Sequence, residues 1–259
     1  TGQDISMDIA KLLNLNVTGT IPLTQIGNGY MYHINKFYNL GDTFEYASDY
    51  TLDLDGVIRY NPILTRFNRS IKPFDTIGLH SALSRETMDL AVNIPYFRYG
   101  NHVIDSGFVS LQEDNDRINY NVGARQYRNK DELVFFYPGL NGRVLNDTVY
   151  ARAVMKDSGA NNRFVLGFAV NKDLRDENSL THLRLFRGLM IDYDLWQVNE
   201  NNRITLGNEG FLIKDFFISQ QDQRIGINSI RDEFNSPLAV NIDNFRLGSV
   251  TKILNPDTL

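Results

Sequence analysis

The chain has 259 residues, 42% apolar, 12% aromatic and 22% charged, enough to bury a core without disulfide or metal staples. Its 26 Lys and Arg against 31 Asp and Glu leave a net charge of −5, which argues against a general nucleic-acid binder and a polybasic membrane anchor. With no cysteine there is no disulfide scaffold, thiolate nucleophile or Cys-ligated metal centre, and only 4 histidines are present for His-based catalysis.

The chain opens at Thr1 with no basic-then-apolar leader. Its longest apolar run, Leu133-Val134-Phe135-Phe136-Tyr137, is far short of the roughly 18 residues that span a bilayer. We read the chain as a piece of a longer protein, with a mature secreted protein as the open alternative.

In chain order, Asp4 to Leu13 fits a strand or a helix equally well. Asn28-Gly29 is a turn signal, yet Tyr30, Ile34, Phe37 and Tyr38 fall at i, i+4, i+7 and i+8, so a short helix is expected over 28–38. Beyond it, period-two alternation dominates. Met88, Leu90, Val92, Ile94 and Tyr96 share one face, as do Ile118, Tyr120 and Val122. The same holds for Phe164, Leu166, Phe168 and Val170, and for Leu238, Val240 and Ile242. Turn signals stand at Asp114-Asn115-Asp116, Asn141-Gly142, Asp157 to Asn162 and Asn199 to Asn202. The expected fold is mainly β, with antiparallel sheets buried on one face.

An internal repeat runs through this pattern. Leu90-Ala91-Val92-Asn93-Ile94 recurs as Leu238-Ala239-Val240-Asn241-Ile242, each followed by a Phe-Arg pair (Phe97-Arg98, Phe245-Arg246) and a glycine (Gly100, Gly248). At the same offset Ile77-Gly78-Leu79-His80-Ser81 corresponds to Ile225-Gly226-Ile227-Asn228-Ser229. Repeat units are therefore expected around 76–100 and 224–248, stacked as in a solenoid, with a pseudo-symmetric two-layer sandwich as the alternative.

Three stretches carry a family resemblance. They are Leu195-Trp196-Gln197-Val198 through Asn202-Arg203-Ile204, then Gly210 to Phe216, then Gln223-Arg224-Ile225-Gly226-Ile227-Asn228-Ser229 with Pro237-Leu238-Ala239-Val240-Asn241-Ile242. Their order and spacing resemble the TamB-like translocation and assembly proteins of Bacteroidota-type Gram-negative bacteria. His33 to Tyr38, Pro62-Ile63-Leu64 and Ile94-Pro95-Tyr96 also fit. The resemblance covers most of 1–259 and is best from Asn146 to Leu259. It implies a β-taco, a curved antiparallel trough with an apolar floor, like a β-solenoid in its stacking. It also implies a non-enzymatic role in shielding phospholipid acyl chains between inner and outer membranes in outer-membrane biogenesis. The implied setting is the periplasm, within an inner-membrane-anchored protein that meets a BamA-like outer-membrane barrel through regions absent here. The lipid-lining candidates are Leu90, Val92, Ile94, Ile225, Ile227, Leu238, Val240 and Ile242.

No catalytic, cofactor or metal constellation is read from the residues. There is no G-x-S-x-G, phosphate-binding loop or H-E-x-x-H. His33, His80, His102 and His182 have no carboxylate at a telling spacing and are read as surface or sheet-edge histidines. Asp53-Leu54-Asp55-Gly56 has a calcium-loop look but is read as a hairpin turn, and Gln112 to Asp116 as a solvated hairpin tip. Asp75-Thr76-Ile77, Asp147-Thr148-Val149 and Asp257-Thr258-Leu259 match a short O-glycosylation signal of Bacteroidota envelope proteins. The rival reading is a carbohydrate-binding or polysaccharide-lyase β-jelly-roll, with Trp196, Tyr193 and Tyr96-Phe97 as a sugar platform. A virion jelly-roll, suggested by Val92 to Tyr96, is a third.

Overall fold

The structure, a computed structural model, describes residues 2–9, 11–39, 49–130, 132–173 and 180–244. The second copies of the repeat's Phe-Arg pair and glycine, and Asp257-Thr258-Leu259, lie outside them. The chain is mainly β, with antiparallel pairing throughout. It divides into two compact units, 1–145 and 146–259.

Unit 1 is a meander. The strands β1 (Gln3–Ile9), β2 (Leu13–Gly19), β3 (Thr51–Ile58), β4 (Ile77–Ser84), β5 (Met88–Tyr99) and β6 (His102–Asp114) pair in chain order. β6 then divides between β7 (Arg117–Gly123) and β8 (Gln126–Asn129), and both pair with β9 (Glu132–Leu145). The division has a local cause. Pro95 brings no N–H to the ladder, and Ser106 and Tyr137 take left-handed backbone with φ of 52° and 45°. Regular pairing is interrupted along this line: Pro95 and Ser106 drop out of the β5–β6 register, and β6 and β9 change partner between β7 and β8 there.

Helix α1 (Ile26–Phe37) covers one end of the strands. Tyr30, Ile34 and Phe37, from the face expected by spacing, pack together with Ile26 against Val17, Ile21, Leu52, Leu54, Leu83, Met88 and Ile118, while Tyr38 is the C-cap beyond the helix. Asn28-Gly29 is therefore inside a helix, not a turn. A Cβ on Gly29 would sit 2.5 Å from Leu83 Cδ2 and 3.2 Å from Ile21 Cδ1. Glycine is what lets the helix approach the sheet this closely.

A second helix, α2 (Pro62–Phe67), was not expected. Asn61 caps it, its Oδ1 accepting from Ile63 N at 3.0 Å, and Pro62 opens its first turn. Asp4 to Leu13 resolves into strands β1 and the start of β2. Asn141-Gly142 lies within β9, opposite Asn121 and Tyr120, and makes no turn.

In unit 2, β10 (Thr148–Lys156) pairs with β11 (Asn162–Asp173), and β11 forks. One branch runs through β12 (Leu180–Leu185), β15 (Arg203–Gly207) and β16 (Gly210–Lys214). The other runs through β13 (Leu189–Ile191), β14 (Asp194–Val198), β17 (Phe216–Gln220), β18 (Gln223–Ser229) and β19 (Leu238–Asp243). Trp196, Leu189 and Val198 form the buried centre of this second branch, with Leu166, Leu185, Ile191 and Ile218 against them.

The two repeat copies keep the same pairing. Leu79 faces Val92 and Gly78 faces Asn93 in β4–β5; Ile227 faces Val240 and Gly226 faces Asn241 in β18–β19. They part at the connection. Ser84 closes a tight turn to Thr87 in the first copy, whereas 230–237 leave the ladder in the second.

Candidate lipid-contacting surface

In-register pairing sorts the residues of unit 1 into rows that run across the strands. One row reads Met7, Leu15, Gly56, Leu79, Val92, Val109, Val122 and Leu140. Its neighbour reads Ile5, Val17, Leu54, Ser81, Leu90, Leu111, Tyr120 and Gly142. A third, beneath α1, includes Leu52, Leu83, Ile118 and Val144. Seven inter-strand steps of about 4.8 Å make each full row about 34 Å long.

The helix divides this apolar face. Leu83 and Met88, under α1, are fully buried, whereas Leu79, Val92 and Val109 are half-buried and Val122 and Leu140 are exposed. Leu90, Val92 and Ile94 thus lie on one side of β5, in the partly open region, with Ala91 and Asn93 exposed on the other side. A depression of about 600 Å³ lies over the central strands. It is lined largely by the alternate positions (Asn16, Asp55, His80, Asn93), so it lies on the side of the sheet away from the apolar rows.

In unit 2, Ile225 faces Ile242 and Ile227 faces Val240 across β18–β19, with Leu238 opposite Ser229. Ile225 and Ile227 are half-buried, while Leu238, Val240 and Ile242 are exposed, the last two at 57% and 60%. Leaving β-branched side chains this bare on one strand is costly in water and gives an apolar ligand something to cover.

Two polar arrangements escaped the sequence reading. His33 is not a surface histidine: it is fully buried under α1. Its Nε2 donates to the Ser84 carbonyl at 2.7 Å and lies 3.0 Å from the Tyr50 hydroxyl, and its Nδ1 meets the Glu113 carboxylate. Lys36 reaches the same carboxylate at 3.0 Å. Burial pushes the His33 pKa below its ordinary value, with Glu113 offsetting part of that and Lys36 adding to it. Glu113 belongs to the stretch read as a solvated tip, which holds only for the Asn115-Asp116 turn.

Asp53 and Asp55 sit in mid-strand on β3, not in a hairpin turn. With His80 they place three ligand atoms within 4.8 Å of one another, a spacing that could hold a metal. All three are exposed, and His80 Nδ1 already donates to Asp55 Oδ1 at 2.9 Å across the ladder, which raises the His80 pKa. A cross-strand pair accounts for the cluster.

The sugar platform is not assembled, because Trp196 is buried in the second branch of unit 2. An aromatic stack does occur in unit 1. His102, Tyr127 and Phe135 lie ring on ring at 6.0 and 5.9 Å, their faces turned toward one another. Of the glycosylation-like triplets, Thr76 is exposed just before β4 and Thr148 opens β10 half-buried.

No protein-family model matches the chain, and neither a curated protein nor a solved structure matches it significantly.

Proposed function

We propose that the chain is a non-enzymatic segment of a TamB-like lipid conduit, which shields phospholipid acyl chains on an apolar sheet face between the inner and outer membranes. The observation that supports this best is the row from Met7 to Leu140. Across eight strands it carries seven apolar side chains and one glycine, Gly56, with no polar residue, yet is left partly open beyond α1. Its length of about 34 Å is about twice the ~15 Å that one leaflet's chains occupy in a bilayer core. Each methylene withdrawn from water onto such a surface gains about 0.8 kcal/mol. A surface of this kind asks for no polar constellation, because it discriminates little among acyl chains. In this reading the chain works in the periplasm as part of a longer, membrane-anchored protein whose other regions meet a BamA-like barrel.

Native mass spectrometry of the protein purified from an expressing Gram-negative host, beside a glycan array, tests the proposal. Co-purified phospholipid without glycan binding is the expected result. Glycan binding without lipid would overturn it in favour of the carbohydrate module.

A further inference from the structure

We infer that a depression in unit 2 is a binding site for a phosphoryl group, held by Arg184 and Arg203. The β12–β15 ladder pairs Thr181 with Leu206, His182 with Thr205 and Leu183 with Ile204. One step further, Arg184 stands opposite Arg203. Asn202, 1% exposed, locks that register: its Nδ2 donates to the Leu185 carbonyl and its Oδ1 accepts from Leu185 N, both at 2.8 Å. The side-chain amide thus continues the ladder where the strand has ended.

Like charges placed directly across a ladder repel. Among the described residues, no carboxylate forms an ion pair with either guanidinium. Glu200, on the same rim, is engaged by Arg187, and the Arg203 Nε contact is with His182 Nδ1 at 3.3 Å. Both arginines line a concavity of about 470 Å³ together with His182 and the parallel-stacked rings of Tyr150 and Phe186, 6.1 Å apart. Both planar forks line it, and apart from Arg203 Nε, which meets His182, their donors have no carboxylate partner among the described residues.

The charge and donor count select the ligand. A carboxylate offers two oxygens and one charge, which a single arginine satisfies bidentately. A phosphoryl group offers three oxygens and up to two charges, so it uses both forks and relieves their repulsion. The ring wall beside them suits a phosphate carried on an organic body. None of the lipid-lining candidates lines this depression, so the site stands apart from the conduit reading and does not depend on it.

Isothermal titration calorimetry with inorganic phosphate, on the whole chain, tests the assignment. Saturable binding is expected that weakens about tenfold or more in Arg184→Gln and in Arg203→Gln, and is unchanged in Arg66→Gln, an exposed arginine on α2. Arg184→Lys keeps the charge without the fork and should fall between. Circular dichroism checks that each variant is folded. Flotation with phosphatidylcholine vesicles, with and without phosphatidic acid, then identifies the source. Capture by phosphatidic acid that phosphate displaces assigns a lipid headgroup, and phosphate binding without capture assigns a free phosphate or soluble phosphoester. Absence of phosphate binding, wild-type affinity in either glutamine variant, or vesicle capture that phosphate cannot displace would overturn the site.

Discussion

Val240→Arg separates an open apolar surface from a filled core. Val240 is 57% exposed on β19, opposite Ile227. A fully buried valine is worth about 1.5 kcal/mol, so the roughly four-tenths of its surface that is covered accounts for about 0.6 kcal/mol. The arginine stem can lie along the neighbouring isoleucines with its head in water, which recovers part of that loss. Because about 1 kcal/mol moves the melting temperature of a chain this size by about 2–4 °C, the shift should be about 1–2 °C. Lipid contact should respond far more, since a guanidinium on the surface obstructs an acyl chain. With a photo-crosslinking residue at Ile227, Val240→Arg should strongly reduce phospholipid adducts, while Asn241→Arg, on the other side of the strand, should leave both adducts and melting unchanged. If Val240→Arg unfolds the protein, or lipid crosslinks equally in both variants, the surface is a core or is not the contact.

Other consequences follow from the helix and the buried charges. Leu83→Ala removes a core side chain beneath α1 and should cost about 2–5 kcal/mol in urea melts, and Gly29→Val should cost about 1–3 kcal/mol by forcing the helix off Leu83 and Ile21. His33 has a folded-state pKa below the 6.5 of the free side chain, so the unfolded chain binds the proton more readily. Its stabilising contribution is complete above that value and is lost as pH falls below it. Urea melts at about pH 7.5 and about pH 5.5 should show the decline in the wild type and a smaller one in His33→Gln. Arg163 and Asp192 form a buried pair at 2.8 Å, so Asp192→Ala leaves a guanidinium unpaired and should cost about 3–5 kcal/mol, read by thermal melting.

What the sequence disclosed followed local periodicity. The alternation over Met88 to Tyr96 became β5, and the spacing of Tyr30, Ile34 and Phe37 became the packed face of α1. The repeat at one offset extended even to register. Dipeptide turn chemistry failed where long-range packing decided the backbone: Gly29 serves a close helix–sheet approach, and Asn141-Gly142 is held by β7 within a long strand. Asn61-Pro62 did carry a legible cap-and-first-turn signal for α2, masked by the surrounding strand pattern. The contacts that no local pattern could show are those between distant residues. His33 and Glu113 are 80 residues apart, and Arg184 and Arg203 line one depression only because β12 skips two strands to pair with β15.

Five consecutive positions on β5 can report which side of the sheet meets lipid. A photo-crosslinking residue placed in turn at Leu90, Ala91, Val92, Asn93 and Ile94, in cells making labelled phospholipid, reads which side of the strand meets acyl chains. Lipid adducts are expected at Leu90, Val92 and Ile94 and none at Ala91 and Asn93, the alternation of a strand with one lipid-facing side. Adducts at Ala91 and Asn93 instead, or no adducts at any of the five, would contradict it.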